Sequence, residues 1–285
     1  MKKWLNTHRR LVFVAVLFLL TLALGFATLR TASGQLTVAF LDVGQGDAVY
    51  IEGPNGNQVL YDAGPPSGEA LRSLSTVMPF WDRSLDVIIL SHPDQDHIGG
   101  FPEILRRYRV STAIEPGSVS NNGTHAEVER AITAEGATHL LARRGMTIDL
   151  GDGAILEVLY PDRDMSHMET NSSSIVLRVR YGETAFLLSG DLPINVENYL
   201  AMTEGNELHA DVFKLGHHGS RTSSGEAFLA AVHPSLAVGS MGRGNSYGHP
   251  HKETLERLKK AGIPLLRTDE EGTIVLHSDG KNILQ

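Results

Sequence analysis

The chain has 285 residues, no cysteine and a formal net charge of −8. That length is ample for a buried core in one large domain or two small ones. The missing cysteines exclude disulfides and thiolate metal sites, and the negative charge argues against general electrostatic binding of nucleic acid, though a local basic groove stays open.

The chain begins MKKWLNTHRRLVFVAVLFLLTLALGFATLR, in which Leu11 to Ala27 carry no charge. That run is about the minimum, roughly 17 residues, for a spanning helix. Lys2, Lys3, Arg9 and Arg10 precede it and Arg30 follows, so the positive-inside rule leaves the later residues outside the cytoplasm. A cleaved signal peptide is the competing reading, but the run is long for one and no A-x-A site follows. Residues 1–30 are thus expected to be a membrane anchor or signal, and 31–285 an exported domain.

Beyond a short polar linker, strands and helices alternate. LTVAFLDVG, AVYIEGP and GNQVLYDAG read as strands, the last two joined by a PNGN turn. GEALRSLSTVM reads as a helix, and LDVIILSH as a strand buried on both faces. FPEILRRYRV then reads as a helix with Pro102 in its first turn. STAIEP is a short strand, and THAEVERAITAEG a helix ended by Gly136. GAILEVLYP, SSIVLRVRYG and TAFLLSGD are strands, and NVENYLAMT is a helix. ADVFKLGHHGS is a strand ending in histidines, followed by the helix SGEAFLAAV and the strand PSLAVGSMG. The amphipathic helix HKETLERLKKAG and the strand GTIVLHSDG complete the pattern, an α/β one.

Three of these strands stop at potential metal ligands: VIILSHPDQDH, AFLLSGD and VFKLGHHGS. Open α/β sheets place their sites at the carboxyl ends of strands. A lone His or Asp there is most often a loop or capping residue. Two histidines and two aspartates in six residues, with two further ends of the same kind, point instead to metal. Alternation lets His92 and Asp94 face one ion while Asp96 and His97 face another. A carboxylate between the ions must screen their repulsion, and Asp191 is the candidate; His217 closes the second set. Two ions about 3.5–4 Å apart can activate a water and polarise a phosphoryl or carbonyl oxygen. Gly99 and Gly100 suit a helix start packed close to that loop. Nucleophilic catalysis is disfavoured, since cysteine and a G-x-S-x-G elbow are both missing, and no G-x-x-x-x-G-K-[ST] phosphate loop occurs.

HPDQDHIGG resembles the signature of the metallo-β-lactamase fold, in the variant with aspartate in place of the second histidine. Together FLDVGQGDA, SHPDQDHIGG, NSSSIVLRV, FLLSGD, FKLGHHGS and NSYGHPH resemble the hydrolase domain of the ComEC competence-protein family, from about Leu36 to Leu284. The resemblance implies a four-layer αβ/βα sandwich with a dinuclear site at one edge, preceded here by one transmembrane helix. It implies two divalent ions, Mn or Zn, on His92, Asp94, Asp96, His97, Asp191 and His217. The first metal's third ligand, a histidine in many relatives, falls on Asn171, which makes the donor set oxygen-rich and tilts it towards Mn. Asp62 matches the fold's early aspartate, a residue that orients a ligand.

The remaining candidates are His218, to bind a phosphate oxygen or protonate a leaving group, and Asp47, at the rim. In GRGNSYGHPH, Asn245 and Tyr247 offer substrate contacts and His249 a proton-transfer group; Lys214, Ser220 and Arg221 offer contacts to phosphate. The implied activity is hydrolysis of phosphodiesters by metal-activated water, on DNA during uptake or scavenging, at the outer face of the cell membrane. A separate uptake channel is the implied partner, because this chain has one apolar segment where the family carries many. Lys214, Arg221, Arg243, Lys252, Arg257, Lys259 and Lys260 hint at a basic stripe. The alternatives are a hydrolase of a small cell-surface phosphodiester such as phosphocholine, of an ester, lactone or β-lactam, or a non-catalytic metal-containing binding module.

Overall fold

The central strand segments are apolar on both of their faces, and this decides the architecture. In β1 (Leu36–Phe40), Val38 and Phe40 point one way and Ala39 the other, all fully buried. A strand with two apolar faces needs cover on each side. The computed structural model, which describes residues 2–31 and 34–285, supplies it with four layers.

After β1 come β2 (Val49–Glu52), β3 (Gln58–Tyr61), β4 (Ser84–Ile89), β5 (Arg109–Glu115), β6 (Thr138–Leu141), β7 (Thr147–Gly151) and β8 (Ala154–Tyr160). They are followed by β9 (Val176–Tyr181), β10 (Thr184–Leu188), β11 (Val212–Lys214), β12 (Leu236–Gly239), β13 (Leu265–Arg267), β14 (Ile274–Ser278) and β15 (Ile283–Leu284). Among the described residues they form an eight-stranded sheet, β15-β14-β1-β2-β3-β4-β5-β6, and a seven-stranded one, β13-β12-β11-β10-β9-β8-β7. The helices are α1 (Lys2–Thr31), α2 (Glu69–Val77), α3 (Gln95–Ile98), α4 (Phe101–Leu105), α5 (Gly123–Glu135), α6 (Ile194–Thr203), α7 (Glu226–Val232), α8 (Lys252–Ala261) and α9 (Thr268–Glu271).

The central core lies between the sheets, where Val38, Phe40 and Ile89 meet Leu156, Phe186 and Leu188. The outer face of the first sheet packs on Leu74 of α2, Ile104 of α4 and Ile132 of α5. The outer face of the second packs on Leu200 of α6, Phe228 of α7 and Leu258 of α8. The expected sandwich is therefore the one observed. In α1, His8–Gly25 is apolar and long enough to cross a membrane by length and composition, and none of it is buried.

One expected helix is shorter. FPEILRRYRV is helical only over Phe101–Leu105, and Arg109 and Val110 pair with Ser84 and Leu85 in the sheet. Sheet pairing and the burial of Tyr108 outweigh the local helical pattern. The short strands β6, β7, β13 and β15 have no sequence counterpart among the expected elements.

Glu197 of α6 is a buried clamp. Its Oε1 accepts the Ser224 N–H at 2.7 Å and its Oε2 the Gly225 N–H at 2.8 Å, fixing the entry to α7. Burial pushes its carboxyl up to about 7, against the lowering pull of those two N–H groups. A raised folded-state value means that the folded protein holds the proton more tightly. This stabilisation is complete below the ordinary value of 4.5 and is lost as pH rises through about 7, a span worth about 3 kcal/mol. Glu197→Gln is expected to remove that slope while costing about 1–3 kcal/mol at low pH, because one N–H then meets an amide donor. Urea midpoints at pH 5 and pH 8 for both chains check this; equal slopes would refute it.

Candidate metal centre

The site forms where strands of both sheets end. β4 runs into Ser91 and His92, β10 into Ser189 and Asp191, β11 into His217 and His218, and β12 into the loop that carries His249. Asp62, just past β3, ties the first of these loops down. Its Oδ1 accepts the Ser91 N–H at 2.8 Å, and its Oδ2 lies 2.9 Å from His97 Nδ1. α3 is a single turn that follows Asp94 at its N-cap and carries Asp96 and His97. Gly100 allows the chain after it to press against β3's exit, since a Cβ there would collide with the Ala63 carbonyl.

Asp191 is the centre of the group. Its Oδ1 is 3.2 Å from His97 Nε2, and its Oδ2 is 3.5 Å from His217 Nε2, 3.8 Å from His218 Nε2 and 3.9 Å from His92 Nε2. His92 Nε2 is 3.6 Å from Asp94 Oδ2, and His218 Nε2 is 3.3 Å from Asp96 Oδ2. The opposite ring nitrogens are all engaged. Ser91 Oγ lies 2.9 Å from His92 Nδ1, Thr222 Oγ1 3.3 Å from His217 Nδ1, and the Ser240 carbonyl 3.1 Å from His218 Nδ1. A carbonyl and a carboxylate only accept, so Nδ1 of His218 and of His97 carries the hydrogen. Each ring then turns Nε2 towards Asp191, the nitrogen that is left to bind a metal when the ring is neutral.

His217 and His218 both have left-handed backbone, with φ of 48° and 52°. Such residues cost of order 1 kcal/mol each, and persist where surrounding structure over-determines them.

The donor set fits divalent metal. His92 Nε2, His97 Nε2, His218 Nε2 and Asp191 Oδ1 are buried without a hydrogen-bond partner. Without a cation the carboxylates draw protons onto the rings. Burial opposes charge on His97, but Asp191 and Asp62 outweigh it and hold its pKa well above the ordinary value. Against the same opposition, Asp191 and Asp47 raise His218 to about 9. Burial alone would raise Asp191, yet His97 and His218 hold it well below the usual carboxylate range. Asp96 is likewise lowered to about 2, as the contact with His218 overrides burial.

The structure places the expected residues unevenly. His92, Asp94, Asp96, His97 and Asp191 converge. Of the pair expected to close the set, His218 Nε2 faces Asp96, while His217 Nε2 faces Asp191 and is partly exposed. Asn171 begins a short 3-10 turn and its side-chain oxygen accepts from Thr170 Oγ1, so its described contacts are local. Asp47 is not at the rim. It is fully buried behind the histidines, 3.2 Å from His218 Nδ1, and it pairs with the Lys214 ammonium. Lys214 is itself fully buried, which corrects its expected contact with substrate. Asn245 is used up in bracing its loop, accepting the His249 N–H and donating to the carbonyls of Gly242 and His249. Ser220 is buried against Thr222, Arg221 is exposed with its backbone N–H donating to His251 Nδ1, and neither lines the cavity over the site.

Above the ligands lies a cavity of 660 Å³, walled by Pro65, Pro66 and Ser67 on one side and by Tyr247 and His249 on the other. Tyr247 stacks on His249 at 5.7 Å between ring centroids. Burial, reinforced by His218 and His251, pushes His249 down to about 4. Gln45 is a wall residue that the sequence reading missed. Its Nε2 lies 3.5 Å from His249 Nδ1 and its Oε1 accepts the Gly242 N–H, and its only signal was the flanking glycines of GQGD. A second group, Glu115, His125, Glu129 and His139, sits at the β5–β6 edge as a partly exposed, mutually paired network outside this cavity.

Comparisons agree with this fold. Residues 41–238 match the family model described as the Metallo-beta-lactamase superfamily. The chain is 33% identical over 258 residues to ComE operon protein 3 of Bacillus subtilis (strain 168), covering 85% of this chain and 33% of that protein. It is 34% identical over 253 residues to competence protein ComA of Neisseria gonorrhoeae, covering 88% and 34%. The chain thus spans about a third of the length of these relatives. Among solved structures, the metallo-beta-lactamase fold protein YhfI from Bacillus subtilis superposes with a TM-score of 0.55 at 11% identity, covering 85% of this chain and all (100%) of that one. The diiron β-hydroxylase CmlA from Streptomyces venezuelae gives 0.54 at 15%, covering 85% and 54%. At these identities the two structures share the fold. The chain belongs to the metallo-beta-lactamase superfamily, and within it is related to the ComEC-family competence proteins.

Proposed function

We propose that this protein is a membrane-anchored, extracytoplasmic, metal-dependent phosphodiesterase that acts on DNA in uptake or scavenging. The observation that carries the reading is the convergence of three unpartnered Nε2 atoms, from His92, His97 and His218, on Asp191 beneath an open cavity. Two divalent ions are proposed, one on His92 and Asp94, the other on Asp96, His97 and His218, with Asp191 between them. Mn or Zn suits this cysteine-free set, and its oxygen content favours Mn. Such ions, when bound, polarise a phosphoryl oxygen and lower the pKa of water.

The chain's own residues do the rest. Asp94, Asp96 and Asp191 line the cavity and repel a phosphodiester until cations offset their charge. Asp62 and Asp47 hold the His97 and His218 rings in orientation. His249, steadied by Gln45 and Tyr247, stands over the site; lowered to about 4, its ring is neutral near pH 7 and serves as a proton acceptor or hydrogen-bonding group for the substrate. His217 lies beside it on the same wall. Similarity to competence proteins supports DNA as substrate. The apolar helix and the basic residues before it support an anchor with the domain outside. A DNA-uptake channel is the proposed partner.

The test is cleavage of single- and double-stranded DNA by the full chain in detergent, with Mn or Zn, beside an Asp191→Asn control. Metal-dependent cleavage lost in the control is the expected result; intact DNA with bound metal overturns it. A small phosphodiester is the second reading, favoured by the 660 Å³ cavity, which lies within the range of about 300–1,000 Å³ for small-ligand sites. Bis(p-nitrophenyl) phosphate and phosphocholine esters, cleaved while DNA stays intact, would select it. Asp62→Ala is expected to weaken metal affinity by about 10–100-fold, since the His97 ring and the Ser91 amide lose their common acceptor. Metal titration by calorimetry checks it, and unchanged affinity would remove Asp62 from the site's support.

A further inference from the structure

Phe80 and Trp81 are adjacent, 78% and 50% exposed, and packed edge to face with ring centroids 4.8 Å apart. Single exposed apolar residues are ordinary, but an aromatic pair beside arginines is not. Arg83, Arg106, Arg107 and Arg109 are all exposed and line a groove with Trp81. The acids nearby are largely turned to other work. Asp82 accepts from the Gln58 side chain and the Ser84 amide, Glu135 accepts the Val110 N–H, and Glu103 pairs with Arg107 at 3.7 Å.

Topology says what this patch faces. β1 is antiparallel to β2, β2 to β3, and β3 is parallel to β4, so β1 and β4 start at the same end of the sheet. They are three strand spacings apart, about 14 Å. Phe80 and Trp81 lie just before β4. The anchor helix ends at Thr31 and β1 begins at Leu36, a gap that spans at most about 17 Å. Hydrogen bonds tie the two places together: Gly34 N–H donates to Pro54 O at the β2–β3 turn, and Gln58, just past that turn, donates to Asp82. His92 and the cavity lie at the other end of β4, roughly 20 Å away.

We propose that the end of the domain bearing Phe80, Trp81 and these arginines rests on the bilayer that holds the anchor, with the aromatic rings in the interface and the guanidinium groups on anionic lipid phosphates. This rests on the anchored reading of α1. The chemistry is that of interfacial aromatic belts and of arginine–phosphate pairing. The cavity then opens away from the membrane. Arginines and aromatics also suit single-stranded nucleic acid, but a strand bound here would lie at the far end from the metal ligands.

The test uses the full chain in phosphatidylcholine vesicles with or without phosphatidylglycerol. Trp4→Phe leaves Trp81 as the sole tryptophan. Acyl-brominated lipid is expected to quench Trp81 by at least half in phosphatidylglycerol vesicles, while iodide on both sides of the membrane quenches it little. Replacing Arg83, Arg106, Arg107 and Arg109 with Gln is expected to bring that quenching down to the level in phosphatidylcholine alone. Iodide-accessible Trp81 without lipid quenching, in protein that resists alkaline carbonate, overturns the proposal and leaves the anchor standing. Protection of Trp81 by a single-stranded oligonucleotide without lipid quenching overturns it in favour of nucleic acid. Release of the chain by carbonate overturns the anchored reading and the proposal with it.

Discussion

Asp191→Ala is expected to lower hydrolysis by more than about 100-fold and to remove at least one metal ion per chain, with the fold retained. Loss of a supporting residue around a metal commonly costs 10–100-fold, and a residue shared by the whole ligand set should exceed that. Asp191 lies within 3.9 Å of His92, His97, His217 and His218, so its removal opens both halves of the group at once. The backbone does not depend on the carboxylate, because the Asp191 N–H is held by Ser174 Oγ at 3.1 Å and Leu188 is locked in the core. Asp191→Asn keeps the shape and removes the charge, and should follow the alanine variant in metal content. Elemental analysis of the purified chains, with circular dichroism as the fold control, checks both. Full metal content and full rate in either variant would remove Asp191 from the centre of the site.

Asp47→Ala is expected to be the most destabilising polar substitution at the site. Lys214 is fully buried, and its ammonium has Asp47 and the Leu215 carbonyl as described partners. The Asp47 carboxyl is held below its ordinary value because Lys214, His218 and His97 together overcome its burial. Removing one member of a buried pair costs about 3–5 kcal/mol, since the other charge is left uncompensated. For a domain of this size that corresponds to a fall in Tm of roughly 6–20 °C. Asp47→Ala combined with Lys214→Met should recover most of the loss, because the stranded ammonium is gone. Urea denaturation of the two single variants and the double variant measures the coupling. A loss below about 1 kcal/mol for Asp47→Ala would overturn this expectation. The same carboxylate braces the His218 ring, so the rate should fall with Asp47→Ala and stay low in the double variant.

Much of this molecule was legible in the sequence because the signal and the structure share one short segment. An apolar run that stops at SHPDQDH, SGD or GHHGS carries both the buried strand and the ligands at its carboxyl end, and the fold need only align those ends. The four-layer sandwich was implied by the family resemblance, while the residues themselves marked LDVIILSH as a strand buried on both faces. Other features needed the tertiary structure. Whether His217 or His218 faces Asp96 turns on two left-handed residues in succession, a conformation that neighbouring loops impose and composition does not encode. Lys214 looked like a phosphate contact until folding brought Asp47, from a distant loop, against its ammonium. The end of the helix at Leu105 and the short strands β6, β7 and β13 follow from hydrogen bonds to neighbouring strands. A segment of three to five residues has too little periodicity of its own to specify such pairing, so sheet neighbours far away in the chain decide it.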